Sequence, residues 1–281
     1  MFLNTEISKG TIKLESPLHH GSSEQYGTSK LLLTLPTLVI NDNDEFEIIN
    51  IPAVHGNSIR GYLRRLIMQD LLDEIDYELN SKKLYHFLFT GGMLEAVASK
   101  DTGFINIPLK TRIRETIPPI SLLGSALGNQ MFDGKLKCMI ANLICKENAE
   151  TYGLNKNNYH SCYELQYTDF GTRLDDLKTK TEDENAQQMK YDFEAVVKGS
   201  TFHHEFILED TNPIEYSCFQ RMLKLWEERP FLGGKSNTGY GKISFQYTTM
   251  INTSDKLYLN FLKDNAENIK SLLEELSSIW K

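Results

Sequence analysis

Apolar and polar positions alternate through GTIKLESPLHHGS, predicting a strand followed by a His/Gly/Ser turn, and the run LLLTLPTLVI predicts a second strand interrupted by Pro36. The acidic NDNDEFE that follows reads as a solvated turn. From Asn57 the period changes. Ile59, Leu63, Leu66, Ile67 and the LLDEI stretch recur at helical spacing, with Asn57 or Ser58 as the cap. Residues 80–115, with Gly91, Gly92 and the basic TRIRE, hold no single period and predict loop with short strands. After Pro118 and Pro119, ISLLGSALG predicts a short helix closed by Gly128, and GKLKCMIANLICKE a buried strand ending in charge. Residues 147–190 are polar, with NKNN and KTKTEDENAQQ as exposed hairpin tips of an insertion that is partly mobile when nothing is bound.

Farther on, YDFEAVVKGSTFHHEFIL places two β-rich runs around Lys198 and Gly199, a hairpin signal. Pro213 opens a helix over 213–227. RPFLGGKSNTGYGKISFQY is a glycine-rich loop running into a strand, and residues 254–281 read as a strand and then the amphipathic helix DNAENIKSLLEELSSIW. Mixed strands and helices without an internal repeat predict one α+β domain spanning 1–281.

Composition narrows the function. With 281 residues, 40% hydrophobic and 24% charged, the chain can bury a sizeable core. No run of about 18 apolar residues occurs and the start MFLNTEISKG lacks signal-peptide character, so a soluble, cytoplasmic protein without membrane partners is expected. Cys138, Cys145, Cys162 and Cys218 form no CxxC pair and read as reduced thiols. The net charge of −8 argues against indiscriminate coating of nucleic acid, so an RNA site has to be a local basic groove on an acidic body.

Two segments fit such a groove. A helix start preceded by Gly56 offers backbone N–H groups to a phosphate, Arg60 and Arg64 share one helix face, and His55, Asn57 and Ser58 add polar contacts. From spacing alone, an exposed basic helix whose arginines pair with Asp70 or Asp73 fits equally well. In the late loop, Gly233, Gly234, Gly239 and Gly241 surround Lys235, Ser236, Asn237 and Thr238, a flexible backbone able to approach a polyanion closely, while Tyr240 stacks on a base or packs. GKS is not a P-loop, because the required earlier glycine position is Arg229. The pairs His19/His20 and His203/His204, with His55 and Glu24, are acid–base candidates without a partner at meaningful spacing, and no HExxH, GxSxG or metal-ligand set occurs, so no catalytic residue, metal or cofactor is expected.

IPAVHGNSIRGYLRR, the PPISLLGSALGNQ and GKLKCMIANLICKE pair, MKYDFEAVVKGSTF and FLGGKSNTGYGKISF occur in the order seen in the RAMP superfamily of CRISPR proteins. Over about residues 8–250 the chain resembles the Cas-seven-like backbone subunits, the type IV subunit first and type III next. The resemblance implies a modified ferredoxin-like or RRM-like core with a glycine-rich loop, and a thumb-like hairpin inserted within 147–190. It also implies copies stacking head to tail along a guide RNA (crRNA), other effector subunits as partners, and a DNA or RNA target held by guide pairing. By motif position Gly56, Asn57, Ser58, Arg60 and Arg64 would touch guide phosphates, with Lys235, Ser236, Asn237 and Thr238 lining the same groove. Type III relatives cut target RNA with an aspartate after the first strand. Here HHGSSEQYGTSK carries only Glu24 as an acid. Precursor-processing relatives use a histidine, for which His19, His20 or His55 would have to serve. A structural subunit that binds no RNA is the remaining alternative.

Overall fold

A computed structural model describes residues 4–27, 29–40, 43, 45–92, 106–127, 130–173, 189–248 and 254–279. In chain order its strands are β1 (Thr5–Leu14), β2 (Gly21–Tyr26), β3 (Ser29–Leu32), β4 (Thr34–Ile40), β5 (Phe46–Val54), β6 (Ser125–Leu127) and β7 (Gln130–Phe132). They continue with β8 (Leu136–Cys138), β9 (Ala141–Leu143), β10 (Gln166–Arg173), β11 (Met189–Val196), β12 (Thr201–Glu209) and β13 (Ile243–Tyr247). The helices are α1 (Gly56–Glu74), α2 (Lys82–Tyr85), α3 (Ile107–Thr116), α4 (Pro118–Leu123), α5 (Pro213–Glu228) and α6 (Lys256–Ile279).

The largest sheet runs β13-β1-β12-β9-β5-β4, with β8 also on β12. All these pairings are antiparallel. In sequence α1 lies between β1 and the β8/β9 pair, which flank β12, while α5 lies between β12 and β13, which flank β1. Two interleaved split β-α-β units give this order within one antiparallel sheet. A second sheet runs β10-β11-β3-β2, and β6 pairs with β7 alone.

Strict alternation makes β12 the central strand: Phe202, His204, Phe206 and Leu208 all point into the core. Pro213 at the first turn and a capping box between Asn212 and Glu215 start α5. Its inner face carries Cys218, Phe219, Met222, Leu223 and Trp226. Along α6 the buried side chains Tyr258, Leu262, Ile269, Leu272, Leu273 and Leu276 fall on one helical face. Charge ties the three long helices together. Arg221 of α5 donates from Nε to both Asp70 oxygens at 3.1 Å and from Nη1 to Asp255 at 3.3 Å, and Lys224 reaches Asp255 at 2.6 Å. Asp70 is thus the partner of Arg221, not of the α1 arginines.

His204 is fully buried in this core. Its Nε2 faces the Met139 carbonyl at 3.1 Å and its Nδ1 the Tyr247 hydroxyl at 2.7 Å. Because a carbonyl only accepts, Nε2 carries the proton and Nδ1 accepts from Tyr247. Burial, opposed by the Met139 bond, lowers its pKa from 6.5 to about 4. On acidification the unfolded chain therefore takes up this proton first. The stability held by neutral His204 is complete above about pH 6.5 and falls, by up to about 3 kcal/mol, as pH drops toward about 4. Urea unfolding midpoints at neutral pH and near pH 4 should therefore diverge more in the parent than in His204→Gln, and equal divergence would remove His204 as the cause.

Several local expectations change. The LLLTLPTLVI run breaks at Leu33 between β3 and β4, and Pro36 lies inside β4, which is an edge strand where a missing N–H is tolerated. HHGS is not a free turn: Leu18 bridges Val196, His19 bridges Gly234, and β2 begins at Gly21. Helix α1 starts one residue early, with His55 at the cap position and no side-chain capping bond, so neither Asn57 nor Ser58 caps it. TRIRE is helical in α3, and the segment before it forms α2 and a π-turn over His86–Thr90. Helix α4 closes at Gly124, whose positive φ of 60° with ψ of 176° is a conformation open to glycine, while Gly128 lies outside the described residues. GKLKCMIANLICKE splits into β8 and β9.

Strands β11 and β12 flank Gly199 but do not pair. One joins β10 and β3, the other joins β1. NKNN forms a 3-10 turn, and KTKTEDENAQQ lies outside the described residues, with the mobility expected of it. Residues 256–279 are one helix, so the strand expected after residue 254 is absent among the described residues.

One surface departs from the ordinary soluble pattern. In the β4–β5 hairpin Leu38 opposes Ile48 and Ile40 opposes Phe46, and all four lie 57–74% exposed on one face. Val39 and Ile49, on the other face, are buried.

Candidate nucleic-acid interface

The two segments singled out in the sequence meet along residues 19–20. The Gly234 N–H donates to the His19 carbonyl at 2.8 Å, and the His55 N–H reaches His20 Nε2 at 3.5 Å. The start of α1 and the glycine-rich loop therefore stand on either side of one short stretch of backbone. His19 is buried, its Nδ1 on the Glu194 carbonyl at 2.7 Å and its ring edge-on to Phe193. Burial, opposed by the Glu194 bond, lowers its pKa. Burial first, then the neighbouring His55 and His19, brings His20 down to about 4. Both rings are therefore neutral at physiological pH, and their ring nitrogens named here are already engaged.

At the start of α1, Gly56 is buried against the β8–β9 connection, Asn57 is exposed and Ser58 half-buried. No acidic residue occupies the first turn, so the positive end of the helix dipole is not neutralised locally. Arg60 donates from Nη2 to the Leu123 carbonyl, but its buried Nε has no hydrogen-bond partner. Beside it opens a cleft of about 400 Å³ lined by Asn57, Arg60, Gly61, Arg64, Gly91 and Ser125 among others.

Arg64 behaves differently from its neighbour. It is only 6% exposed, and its guanidinium donates to the Leu123, Gly124 and Leu88 carbonyls at 2.6, 2.9 and 3.4 Å. These carbonyls include the open C-terminal end of α4, where a cation is favoured. Burial, then the Arg60 charge, lowers its pKa to about 10, so it stays protonated. Three of its N–H donors are thus committed to backbone carbonyls, which leaves Arg64 less available to a phosphate than the sequence suggests. Arg65 points elsewhere, exposed and 6.0 Å from the Tyr62 ring.

The loop is braced from two sides. At its root Trp226 Nε1 donates to the Phe231 carbonyl at 3.1 Å, Leu232 N–H to Gly241 at 2.8 Å and Gly241 N–H to Pro17 at 2.7 Å. At its tip Lys235 adopts a left-handed backbone with φ of 62°, a conformation costing about 1 kcal/mol for a residue with a side chain. Its ammonium lies 3.9 Å from the Phe193 ring centre and 4.5 Å from that of Tyr191, an attraction that offsets the strain. Ser236, Asn237 and Thr238 form an exposed 3-10 turn, with the Thr238 hydroxyl closing on the Lys235 carbonyl at 2.9 Å. Tyr240 donates its hydroxyl to Asp169 and meets Phe193 edge-on at 5.3 Å. Burial, then Asp169, raises its pKa, while its hydrogen bond lowers that of Asp169. Of the two readings of Tyr240, packing is the one the geometry favours.

What the sequence did not reveal is the brace itself. Tyr191 and Phe193 of β11 and Asp169 of β10 tie the loop to the hairpin. The alternating aromatics of MKYDF were the available signal. The side chain of Glu24 lies outside what is described.

A sheet of interleaved split β-α-β units, with a braced glycine-rich loop beside a helix start, defines a protein of the RAMP type. The superfamily model matches residues 11–244, and the chain belongs to the RAMP superfamily. Among curated proteins it is 26% identical over 260 residues to the CRISPR system Cms endoribonuclease Csm3 of Streptococcus thermophilus, covering 89% of this chain and 93% of that one. Among solved structures it is similar to a chain of a Type IV-B CRISPR complex, with a TM-score of 0.60 and 18% identity over 86% of this chain and 90% of that one. At that identity the likeness is one of fold. No helix of the described residues is long and apolar enough to cross a membrane.

Proposed function

We propose that this chain is a guide-binding backbone subunit of a CRISPR effector complex, holding crRNA by its sugar-phosphate backbone. The observation that carries the reading is the junction at residues 19–20, which sets the uncapped start of α1 and the exposed 3-10 turn of the glycine loop on one rim. Asn57, Ser58, Arg60, Lys235, Ser236, Asn237 and Thr238 are the contacts, with His55 and Gly56 contributing backbone. Such a rim grips phosphates and leaves bases free to pair with a target. The β10–β11 hairpin takes the part of the thumb within 147–190 and extends beyond it to Val196.

Head-to-tail stacking needs two unlike surfaces on one chain. The exposed Leu38, Ile40, Phe46 and Ile48 face is one. A groove of about 850 Å³ lined by Tyr62, Leu66, Tyr77 and Phe89, with Arg65 and Arg229 at its side, is the other. A second copy is the occupant we assign to both. Guide binding is favoured over histidine-based cleavage because His19 Nδ1 is held on the Glu194 carbonyl and His20 Nε2 faces the His55 N–H.

The test is to purify the chain with its neighbouring subunits and a CRISPR array and to map the RNA it protects. Guide-length RNA protected at regular intervals is expected, with no metal-dependent cutting of a complementary RNA that Glu24→Ala removes. Arg60→Ala with Lys235→Ala should weaken binding irrespective of base sequence and flatten the salt slope by about 1 per cation removed. Phe46→Glu with Ile48→Glu should retain single-site binding but lose the interval. RNA-free protein would overturn the reading, and Glu24-dependent cutting would replace it with a nuclease.

A further inference from the structure

Three metal-capable side chains converge at the beginning and end of the irregular segment between β9 and β10, away from the rim just described. Cys145 and Cys162 are both fully buried, and their sulfurs lie with a Glu147 oxygen all within 4.8 Å of one another. Seventeen positions separate the two cysteines, and the intervening chain holds only two short 3-10 turns.

The backbone is folded so as to aim these donors at a common point. The Lys146 N–H donates to the His160 carbonyl at 2.8 Å, zipping the two ends of the segment together. Asn148 accepts from the Cys145 N–H at 2.9 Å and donates to the Leu143 carbonyl at 2.8 Å, fixing the turn that carries Cys145 and Glu147. The Glu147 carboxylate is oriented in turn: Oε2 accepts from the Cys162 N–H at 2.9 Å and Oε1 from the Ser161 hydroxyl. That is the outer-shell support that ligating carboxylates ordinarily have.

We propose that Cys145, Glu147 and Cys162 form a zinc site that staples this segment to the sheet. The donor set selects the ion. Two thiolates are too soft for calcium or magnesium, whereas two sulfurs and one oxygen suit tetrahedral zinc. With Zn–S bonds of about 2.3 Å, two thiolates on one tetrahedral ion lie about 3.8 Å apart, inside the observed limit. A cavity of about 210 Å³ lined by Glu147 and Ser161 opens on the carboxylate side of the cluster, the side from which a water would complete the tetrahedron. Lys146 and Lys156, which line the same cavity, balance the single negative charge left by two thiolates, one carboxylate and Zn²⁺. Binding converts two thiols to thiolates and releases two protons, with no change of oxidation state.

The test is metal analysis of the full chain purified without chelator in zinc-supplemented medium, followed by cobalt substitution. One zinc per chain is expected, and cobalt should give a thiolate charge-transfer band. Cys145→Ser with Cys162→Ser should abolish both, while Cys218→Ser, far from the cluster in sequence, keeps them. Ser161→Ala, which removes only the hydroxyl orienting Glu147, should weaken zinc about 10- to 100-fold. If the double variant fails to fold, alkylation of the parent answers the question. Both thiols should be protected until a chelator is added and then react together. Metal-free parent protein, metal retained by a folded double variant, thiols that a chelator does not unmask, or a Cys145–Cys162 disulfide in its place would each overturn the site.

Discussion

Arg64→Ala is expected to lower the unfolding free energy by about 3 kcal/mol while leaving the urea slope unchanged. The guanidinium is 6% exposed and donates to three backbone carbonyls, two of them at the end of α4. Removing it takes this donor from the Gly124 and Leu88 carbonyls, leaves the Leu123 carbonyl to Arg60 alone in a site that water reaches poorly, and opens a void between α1 and α4. Each unmade bond to a buried acceptor costs on the order of 1 kcal/mol or more. Arg64→Lys should recover only part of the loss, because one ammonium cannot reproduce a fork that spans Leu88, Leu123 and Gly124. Denaturant unfolding of both variants checks this. A neutral Arg64→Ala would mean that the guanidinium is free for a ligand after all.

The two glycines of the GNSIRG segment should respond with opposite signs. A Cβ on Gly56 would stand 2.0 Å from the Cys138 carbonyl oxygen and 2.7 Å from that of Met139. Both atoms are backbone, so neither can swing aside. Gly56→Ala should therefore cost about 3 kcal/mol or push α1 off the β8–β9 connection. A Cβ on Gly61 would meet nothing closer than Arg65 Nη1 at 3.8 Å. Inside a helix that change should stabilise by about 0.5–1 kcal/mol. Gly61 lines the cleft beside Arg60, so the same substitution should also reduce RNA affinity if a phosphate lies there. A Gly61→Ala protein that is both more stable and unchanged in RNA binding would take the guide out of that cleft.

Features governed by neighbours in sequence were legible. Pro213 marks α5, the β-rich STFHHEFIL marks β12, and the four late glycines mark the loop. Features governed by distant partners were not. Arg60 and Arg64 lie on the same helix face, and only the arrival of α4 makes one a structural anchor and leaves the other with an unpartnered Nε. The Lys198–Gly199 turn looks like a hairpin because its flanks are β-rich, yet its two strands are claimed by different sheets. In residues 80–116 the glycines and Pro108 broke the helical period without preventing α2 and α3, which pack against α4 and α6 rather than resting on local repetition. The motif order carried the family, whereas the braces holding the rim, Lys235 on Tyr191 and Phe193 and Tyr240 on Asp169, depend on strand register that no local pattern encodes.

The hairpin with apolar side chains on both faces also bears on how the protein can be made. Leu38, Ile40, Phe46 and Ile48 stand in water on the hairpin formed by the edge strand β4 and its neighbour β5, the combination that seeds sticking between chains. A newly synthesised copy is therefore safest when a binding surface is ready to receive it. Under the stacking proposed above, surplus translation should end in precipitate or proteolysis instead of a reserve of free subunit, so supply of the chain has to keep pace with its assembly.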